Sequence, residues 1–330
     1  MIFSEKLNII KKVLQAIVFR KKNLLAVTWN ITFKCNLQCG YCGAWEKEMK
    51  ELNTERVFAI VEEFANLGTK FIKFSGGEPL LREDLGEIID FCKRKGIRVL
   101  LNSNGTLVKK EFWKIKEIDE IQLSLDGPRD INDAIRGKGV HDKVIEAIEI
   151  CTNNKINVSL STVISKYNIA CIPYILDVAT KYKIVAWFQP VNQMVSTYSD
   201  KDIHSLFAPE ERDFKSIVNF LIEEKKKGNK AIGSSYAGLK HLYHWPTPKK
   251  VDCFLRFFHC LMEPDGRIFT CNEFKDYQKY LIPVSKSIRD SFNKISFPHP
   301  CVNCWCSDIE LNLICNFKLN AMMNIWKRFS

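Results

Sequence analysis

No apolar run in the sequence approaches the roughly 18–20 residues that a membrane-spanning helix needs. The N-terminal stretch has Glu5, Lys6, Lys11 and Lys12 among its apolar residues and no small-residue cleavage site after them, so it does not resemble a secretory signal. Glycine and proline, at 15 and 11 residues, are too few for a fibrous repeat. Because 46% of the 330 residues are hydrophobic, we expect a folded cytoplasmic protein with one large domain or a domain plus a smaller one.

Acidic residues are scarce at both ends of the chain. Residues 1–34 carry a net charge of +6 and residues 311–330 a net charge of +3, out of +11 for the whole chain. A nucleic-acid-binding domain usually has a basic face over its working part. The middle of this chain is nearly neutral, which argues against an RNA-binding iron–sulfur or zinc protein. The basic amphipathic ends, residues 1–22 and 311–330, either pack on the protein or contact the inner face of an anionic membrane.

Short β-rich runs alternate with helical stretches from residue 27 onward. This alternation predicts consecutive right-handed βαβ units and a parallel sheet, either open or curled. The strand candidates are 27–33, 71–74, 97–101, 120–125, 156–163 and 184–190, and the helical stretches between them are 54–67, 84–95, 109–116, 140–153 and 168–182. Polar or glycine-rich motifs follow four of these strands. The carboxyl ends of parallel strands lie at one rim, so we expect the motifs to converge there.

Thirteen cysteines, an odd number with no secretory signal, argue against a disulfide framework. Ten of them fall in two clusters. The first cluster, Cys35, Cys39 and Cys42, has the spacing C-x3-C-x2-C in the loop after the first strand. Three thiolates can hold three corners of a cubane iron–sulfur cluster and leave the fourth iron open. Three quarters of a zinc site that is completed elsewhere is the alternative.

These cysteines, with Tyr41 directly before the last of them, resemble the signature of the radical S-adenosylmethionine (SAM) enzymes. Further motifs match in the family's order over residues 24–192: Gly76-Gly77-Glu78-Pro79, Asn104-Gly105, Ser124-Leu125-Asp126-Gly127 and Arg136. The resemblance implies a SAM site made by Tyr41, Gly76, Gly77, Glu78, Pro79, Asn104, Ser124 and Arg136. In that site the backbone of the glycine motif contacts the SAM amino group and the arginine contacts its carboxylate.

The same resemblance implies an α/β fold, a partial (β/α)6 TIM-like barrel, and a [4Fe-4S] cluster on Cys35, Cys39 and Cys42. In this family the reduced cluster passes one electron to SAM, and the resulting 5′-deoxyadenosyl radical abstracts hydrogen from the substrate. An electron donor such as flavodoxin or ferredoxin is therefore an expected partner.

The second cysteine cluster lies near the C-terminal end. Its members are Cys253, Cys260, Cys271, Cys301, Cys304, Cys306 and Cys315. The frame Cys253-x12-Gly266-x4-Cys271 resembles the SPASM/Twitch extension of radical SAM enzymes, which implies one or two auxiliary iron–sulfur clusters. Cys304-x-Cys306 departs from the usual longer spacing, and zinc is the alternative for this half. Cys92, Cys151 and Cys171 lie in helical stretches and are interpreted as core thiols.

The resulting organisation is a basic N-terminal helix (1–23), a barrel (24–208), a helix and connector (209–250), an auxiliary-cluster domain (251–315) and a basic C-terminal helix (316–330). The six histidines form no convincing ligand set, and 234–246 is a candidate lining of the substrate opening. Relatives with this extension often modify peptides, so a peptide or protein is the leading substrate class. A lipid, isoprenoid or sugar substrate at the membrane surface is the alternative. Sulfatase maturation is disfavoured because Asn272, not aspartate, follows Cys271.

Overall fold

The computed structural model describes residues 3–191, 203–247, 251–271, 280–284, 287–295, 304–305 and 309–316. Within these residues, eight strands form one sheet in the spatial order β6-β5-β4-β3-β2-β1-β7-β8. The strands are β1 Ala26–Thr32, β2 Phe71–Gly76, β3 Arg98–Ser103, β4 Glu120–Ser124, β5 Asn157–Ile164, β6 Val185–Pro190, β7 His259–Met262 and β8 Ile268–Phe269.

Strands β1 to β6 are all parallel, and each pairs with its neighbour in sequence. This is the arrangement expected from six consecutive βα units, and it confirms the predicted α/β fold and partial barrel. In the described part of the chain the sheet stays open, with β6 at one edge and β8 at the other.

The helices lie between and after the strands. They are α1 Phe3–Phe19, α2 Thr54–Leu67, α3 Leu85–Arg94, α4 Val108–Glu111, α5 Arg129–Arg136, α6 Val140–Asn153, α7 Ile172–Lys181, α8 Ile203–Phe207, α9 Glu211–Lys226, α10 Tyr236–Leu242, α11 Ile288–Lys294 and α12 Ile309–Cys315. None of the helices in these described ranges is long and apolar enough to cross a membrane.

Local sequence explains why α2 begins and ends where it does. The side chain of Asn53 accepts a hydrogen bond from the backbone N–H of Arg56, as a helix N-cap does. Gly68 follows the helix with a φ of 78°, a left-handed conformation that suits glycine. The helix buries one face in the main core. This face consists of Val57, Ile60, Val61 and Phe64.

The main core lies between the sheet and its surrounding helices. Trp29 of β1 is fully buried there, with its ring centroid 6.0 Å from that of Phe64 and 6.1 Å from that of Phe74. Cys92 and Cys151 are fully buried in this core, as interpreted from the sequence, whereas Cys171 is only partly buried. The opposite face of the sheet is more polar; for example, Asn102 donates a hydrogen bond to Ser75 there.

Strands β7 and β8 were not predicted. Strand β7 pairs in parallel with β1, and β8 runs back against β7 as a hairpin. Gly266 has a φ of 85° in the turn between them. Strands of four and two residues carry too little alternation to be recognised by periodicity, so only the fold reveals that the cysteine-rich segment extends the barrel sheet.

Helix α1 confirms the amphipathic helix predicted at the N-terminal end. Its inner face, including Val13, Ala16 and Ile17, packs against a small cluster that contains Phe254 and Phe258. The predicted helix 316–330 lies outside the described residues after Asn316, and the proposed domain boundaries stay predictions.

Candidate functional site

The three cysteines of the first cluster lie in the loop that leaves β1, and each of these residues is partly exposed. The backbone N–H of Gly40 donates to the carbonyl oxygen of Ile135 at 3.1 Å, which ties this loop to the end of α5. A Cβ atom at Gly40 would lie 2.6 Å from the ring of Phe207, so a larger residue here would require that ring to move. The loop is thus held by a backbone hydrogen bond and by close packing at Gly40.

Burial raises the pKa of each of these three thiols above its ordinary value, and that of Cys39 rises to about 11. Each thiol also lies in the electrostatic field of at least one other site residue. A bound metal stabilises the thiolate and reverses such a shift. The three side chains are therefore chemically suited to a metal centre whose own positive charge offsets the burial.

The chemistry of the three side chains fits an iron–sulfur cluster. Cysteine thiolates are the usual ligands of a cubane cluster, and each binds a different iron atom. Cys35, Cys39 and Cys42 therefore fit a [4Fe-4S] cluster, while zinc stays the alternative that the chemistry of thiolates also allows.

The glycine motif after β2 contacts the start of the cysteine loop directly. The backbone N–H of Gly77 donates to the carbonyl of Thr32, and that of Glu78 donates to the carbonyl of Lys34, both at 2.8 Å. A Cβ atom at Gly76 would overlap the carbonyl oxygen of Thr32, and one at Gly77 would overlap that of Lys34. Both glycines are thus required for the close approach of the β1 and β2 loops.

The side chain of Glu78 is fully buried and joins β2 to β3. Its carboxylate accepts hydrogen bonds from the backbone N–H of Asn104 at 2.7 Å, from that of Leu80 at 3.1 Å, and from the hydroxyl of Ser103. Burial raises the pKa of Glu78 to about 7. These internal partners give the carboxylate a positioning role, and the predicted contact of SAM with the backbone of this motif stays a prediction.

Asn104 lies beside the first cysteine. Its amide nitrogen is 3.9 Å from the sulfur of Cys35 and donates to the side-chain oxygen of Asn36 at 2.9 Å. Its amide oxygen accepts two hydrogen bonds from Thr106. The motif after β3 therefore meets the cysteine loop, as the convergence of strand ends predicts.

Arg136, at the last position of α5, is buried beside the second cysteine. Its guanidinium pairs with Asp126 at 2.7 Å, donates to the Tyr41 hydroxyl, and approaches the sulfur of Cys39 to 4.0 Å. The hydroxyl of Tyr41 in turn donates to Asp126 at 2.6 Å. The charge of Asp126 keeps the arginine ionised by raising its pKa.

Asp126 lies within the site and is not among the candidate site residues predicted from the sequence. It is fully buried, and besides Arg136 and Tyr41 its carboxylate accepts a hydrogen bond from the backbone N–H of Val163. Its position in the sequence could have indicated this place. Asp126 comes two residues after the end of β4, in the motif Ser124-Leu125-Asp126-Gly127. Ser124 itself, the last residue of β4, is partly buried on the polar face of the sheet.

Part of the second cysteine cluster also comes together. Asn312 of α12 donates toward the sulfur of Cys304 at 3.5 Å and toward that of Cys253 at 4.0 Å. Burial raises the pKa of Cys315, one helical turn further along α12, and this residue lies close enough to Cys253 for the charge of that thiol to raise the pKa further. Three of the seven predicted ligands, Cys253, Cys304 and Cys315, therefore lie around one helix.

The other four predicted ligands are placed differently or lie outside the described residues. Cys260 is fully buried on β7 among residues of the main apolar core, and its role as a metal ligand stays a prediction. Cys271 lies just after β8 and is partly exposed. Cys301 and Cys306 lie outside the described residues.

The segment 234–246, predicted to line a substrate opening, contains α10. Helix α10 packs on α9 and α12 and buries Leu239 and Leu242. The ring of His241 is hydrogen-bonded to the carbonyl of Cys304 at 3.0 Å, and burial lowers its pKa to about 4. His241 therefore lies beside the second cysteine cluster and is engaged in a structural hydrogen bond.

Comparison with known proteins is consistent with this site. Residues 29–179 match the radical SAM superfamily. The chain is 39% identical over 173 residues to Fe-coproporphyrin III synthase of Methanosarcina barkeri, which covers 50% of this chain and 43% of that protein. It is 25% identical over 269 residues to the mycofactocin maturase MftC of Mycolicibacterium smegmatis, which covers 78% of this chain and 66% of that protein. The chain thus spans less than two thirds of the length of both curated relatives.

A similar fold occurs in SuiB of Streptococcus suis, solved with its precursor peptide SuiA. The TM-score is 0.67 at 16% identity, and the match covers 86% of this chain and 68% of SuiB. At this identity the likeness concerns the fold alone. The matched 86% of this chain is longer than residues 1–250. The match therefore extends into the cysteine-rich segment that follows residue 250.

Proposed function

We propose that this chain, whose residues 29–179 match the radical SAM superfamily, cleaves SAM reductively at a [4Fe-4S] cluster on Cys35, Cys39 and Cys42 and acts on a peptide or protein. The cluster would supply the electron that breaks a carbon–sulfur bond of SAM, and the resulting 5′-deoxyadenosyl radical would abstract hydrogen from the substrate. The electron itself would come from a flavodoxin- or ferredoxin-like donor.

The observation that carries this proposal is the meeting of three loops at one rim of the sheet. The cysteine loop is bonded to the glycine motif through Thr32 and Lys34, lies beside Asn104, and contacts Arg136 through Cys39. These contacts bring three available thiols next to polar groups that suit the amino and carboxylate ends of SAM.

In this proposal the protein residues bind and orient SAM. The backbone of Gly76, Gly77 and Pro79 would face its amino group, while Asn104 and Ser124 offer hydrogen-bonding side chains. The buried ion pair of Arg136 and Asp126 holds the guanidinium rigid beside Cys39. Arg136 would thus bind the SAM carboxylate at little cost in conformational entropy.

The test is anaerobic reconstitution followed by addition of SAM and dithionite and quantification of 5′-deoxyadenosine. We expect product from the unmodified protein and none from a variant with Cys35, Cys39 and Cys42 all changed to alanine. Iron that remains in the variant would count the auxiliary clusters. Zinc in place of iron in anaerobically purified protein would contradict the proposal.

The proposal of a peptide substrate is supported by how much of this chain matches SuiB and the mycofactocin maturase. The match to SuiB, whose structure contains a precursor peptide, covers 86% of this chain, and the match to the maturase covers 78%. Both therefore reach beyond the barrel into the cysteine-rich segment, where Cys253, Cys304 and Cys315 come together.

A tetrapyrrole substrate is the second candidate, favoured by the 39% identity to Fe-coproporphyrin III synthase over half of the chain. Titration with Fe-coproporphyrin III separates the two. We expect no saturable shift of the porphyrin absorption at micromolar protein. A saturable shift with porphyrin-dependent 5′-deoxyadenosine formation would transfer the proposal to the tetrapyrrole.

A peripheral membrane contact, and with it a lipid substrate, would depend on α1. The outer face of this helix exposes Leu7, Ile10, Leu14, Val18 and Phe19, each between 41% and 75% exposed. Such an apolar stripe on an amphipathic helix suits an in-plane membrane contact. Three of its basic neighbours, however, are engaged within the protein: Lys12 with Gly68, Lys22 with the end of α11, and Arg20 with Phe254.

Vesicle flotation tests this contact. If the stripe binds membranes, phosphatidylglycerol vesicles will carry the protein to the top of a gradient, and a Leu14→Glu, Val18→Glu variant will stay at the bottom. Trp113→Glu, at a residue 58% exposed elsewhere on the surface, is the matched control. Absence of flotation by the unmodified protein removes the support for a lipid substrate.

A further inference from the structure

Three cysteines from separate parts of the chain meet around Asn312. Cys253 precedes β7, Cys304 lies between the segments of α11 and α12, and Cys315 is the last residue of α12. Asn312 and Cys315 are three residues apart on this helix and so share one face. The side chain of Asn312 is 1% exposed and lies between the other two sulfurs.

Contacts on its other side fix the orientation of the Asn312 amide. The side-chain oxygen accepts hydrogen bonds from the backbone N–H groups of Phe254 and Leu255, at 2.9 and 3.3 Å. Since only an oxygen can accept these bonds, the NH2 group must face the sulfurs. Its two hydrogens can then serve Cys253 and Cys304, one each.

Backbone groups add to the donors around Cys253. The N–H groups of Leu255 and Arg256 also lie within hydrogen-bonding reach of its sulfur. A partly buried thiol that is surrounded by N–H donors is a suitable ligand of an iron–sulfur cluster, whose ligating sulfurs carry negative charge. Hydrogen bonds to such sulfurs stabilise the reduced, more negative state and raise the reduction potential.

We propose that Asn312 is a positioning residue of an auxiliary iron–sulfur site formed around Cys253, Cys304 and Cys315, and that its N–H···S hydrogen bonds raise the reduction potential of that site. This inference rests on the proposed function only in requiring an auxiliary cluster. It does not depend on the substrate or on SAM cleavage.

The experiment uses the full chain with Cys35, Cys39 and Cys42 changed to alanine, so that only auxiliary clusters contribute to the signal. A redox titration at pH 8, followed by electron paramagnetic resonance, compares this protein with versions that also carry Asn312→Asp or Asn316→Asp. Aspartate at 312 keeps the acceptor for Phe254 and Leu255 but replaces the NH2 donor with a negative oxygen. Asn316, one turn later, donates to the backbone oxygens of Asp252 and Asn312 and is the matched control.

We expect Asn312→Asp to lower the ratio of reduced to oxidised cluster at a fixed potential at least tenfold, which corresponds to 59 mV for one electron. Asn316→Asp should leave the ratio within a factor of about two. Equal ratios in the two variants, with equal iron content, would overturn the role of Asn312. Absence of iron from the parent triple variant would instead overturn the auxiliary site itself, and SAM cleavage by the unmodified protein would be unaffected by that result.

A second measurement does not depend on whether a protein substituted at position 312 folds. In the parent triple variant labelled with side-chain 15N-asparagine, pulsed electron paramagnetic resonance should detect a 15N coupling to the reduced auxiliary cluster. Failure to detect this coupling in iron-loaded protein would contradict the hydrogen bonds directly.

Discussion

At the scale of single residues, the site depends on how closely backbones approach one another. Gly76 and Gly77 lie against the carbonyls that precede Cys35, and their own N–H groups hold that segment. The polar side chains around them, Glu78, Asn104 and Arg136, are each fixed by several partners. The thiols lie among these fixed groups: Cys35 accepts a hydrogen bond from the backbone N–H of Leu37, and Cys39 lies 4.0 Å from Arg136. Such preorganisation of the ligands is what a metal site requires.

Gly77→Ala should abolish iron binding at the first cluster, because its Cβ would overlap the carbonyl oxygen of Lys34 and displace the loop that carries Cys35. Iron analysis after reconstitution and 5′-deoxyadenosine formation provide the measurement. Gly96→Ala is the control, since its Cβ meets nothing within 4 Å and only the positive φ of 70° causes strain. Normal iron content in Gly77→Ala would show that the loop tolerates this displacement.

Glu78→Gln should change how stability depends on pH. Burial raises the pKa of Glu78 from 4.5 to about 7 in the folded chain, so the folded state binds more protons than the unfolded state between these values. The free energy of unfolding therefore falls as pH rises from 4.5 to 7, by up to about 3 kcal/mol from this group.

Urea unfolding of the metal-free protein at pH 5 and pH 7.5 measures this effect. The glutamine variant should lose less stability between the two pH values than the unmodified protein. Parallel losses in both proteins would mean that the carboxyl of Glu78 titrates normally.

At the scale of secondary-structure elements, the basic N-terminal segment contributes contacts to the fold itself. The amine of Lys22 donates to the carbonyls of Phe292, Asn293 and Ile295, each at 2.9 Å, and so caps the end of α11. Lys12 similarly donates to the carbonyl of Gly68 after α2. A positive charge near the C-terminal end of a helix is also favoured by the helix dipole.

Lys22→Met should therefore destabilise α11 by about 1–2 kcal/mol, since it leaves three carbonyls without their charged donor. Hydrogen exchange over residues 287–295, followed by mass spectrometry, should show faster exchange in the variant. Lys21→Met is a suitable control because Lys21 is exposed. Equal exchange rates in both variants would show that water replaces the Lys22 amine at no cost.

At the scale of the whole molecule, the barrel and the cysteine-rich segment share one core. Strand β7 pairs with β1, and Cys260, Met262 and Phe269 are buried in the same cluster as Trp29. The backbone N–H of Ile288 also donates to the carboxylate of Glu63 in α2. Removal of this segment would uncover the β1 edge and its apolar neighbours.

We therefore expect the protein to unfold in a single calorimetric transition, and a chain truncated after residue 250 to aggregate. Scanning calorimetry of the full chain and size-exclusion chromatography of the truncated chain check the two expectations. Two separate transitions, or a monomeric folded truncated chain, would show that the barrel folds independently of the segment that follows it.

Sequence alone determined the six βα units and the first cysteine cluster. Their signals are local: alternation of period 2, helical periodicity, a cap such as Asn53 and the spacing of Cys35, Cys39 and Cys42. Tertiary structure alone decided that β7 lies beside β1, that Asp126 holds Arg136 and Tyr41, and that Asn312 lies between Cys253 and Cys304. These contacts join residues from 8 to 233 positions apart, and they depend on how the sheet and helices pack, which no local pattern contains.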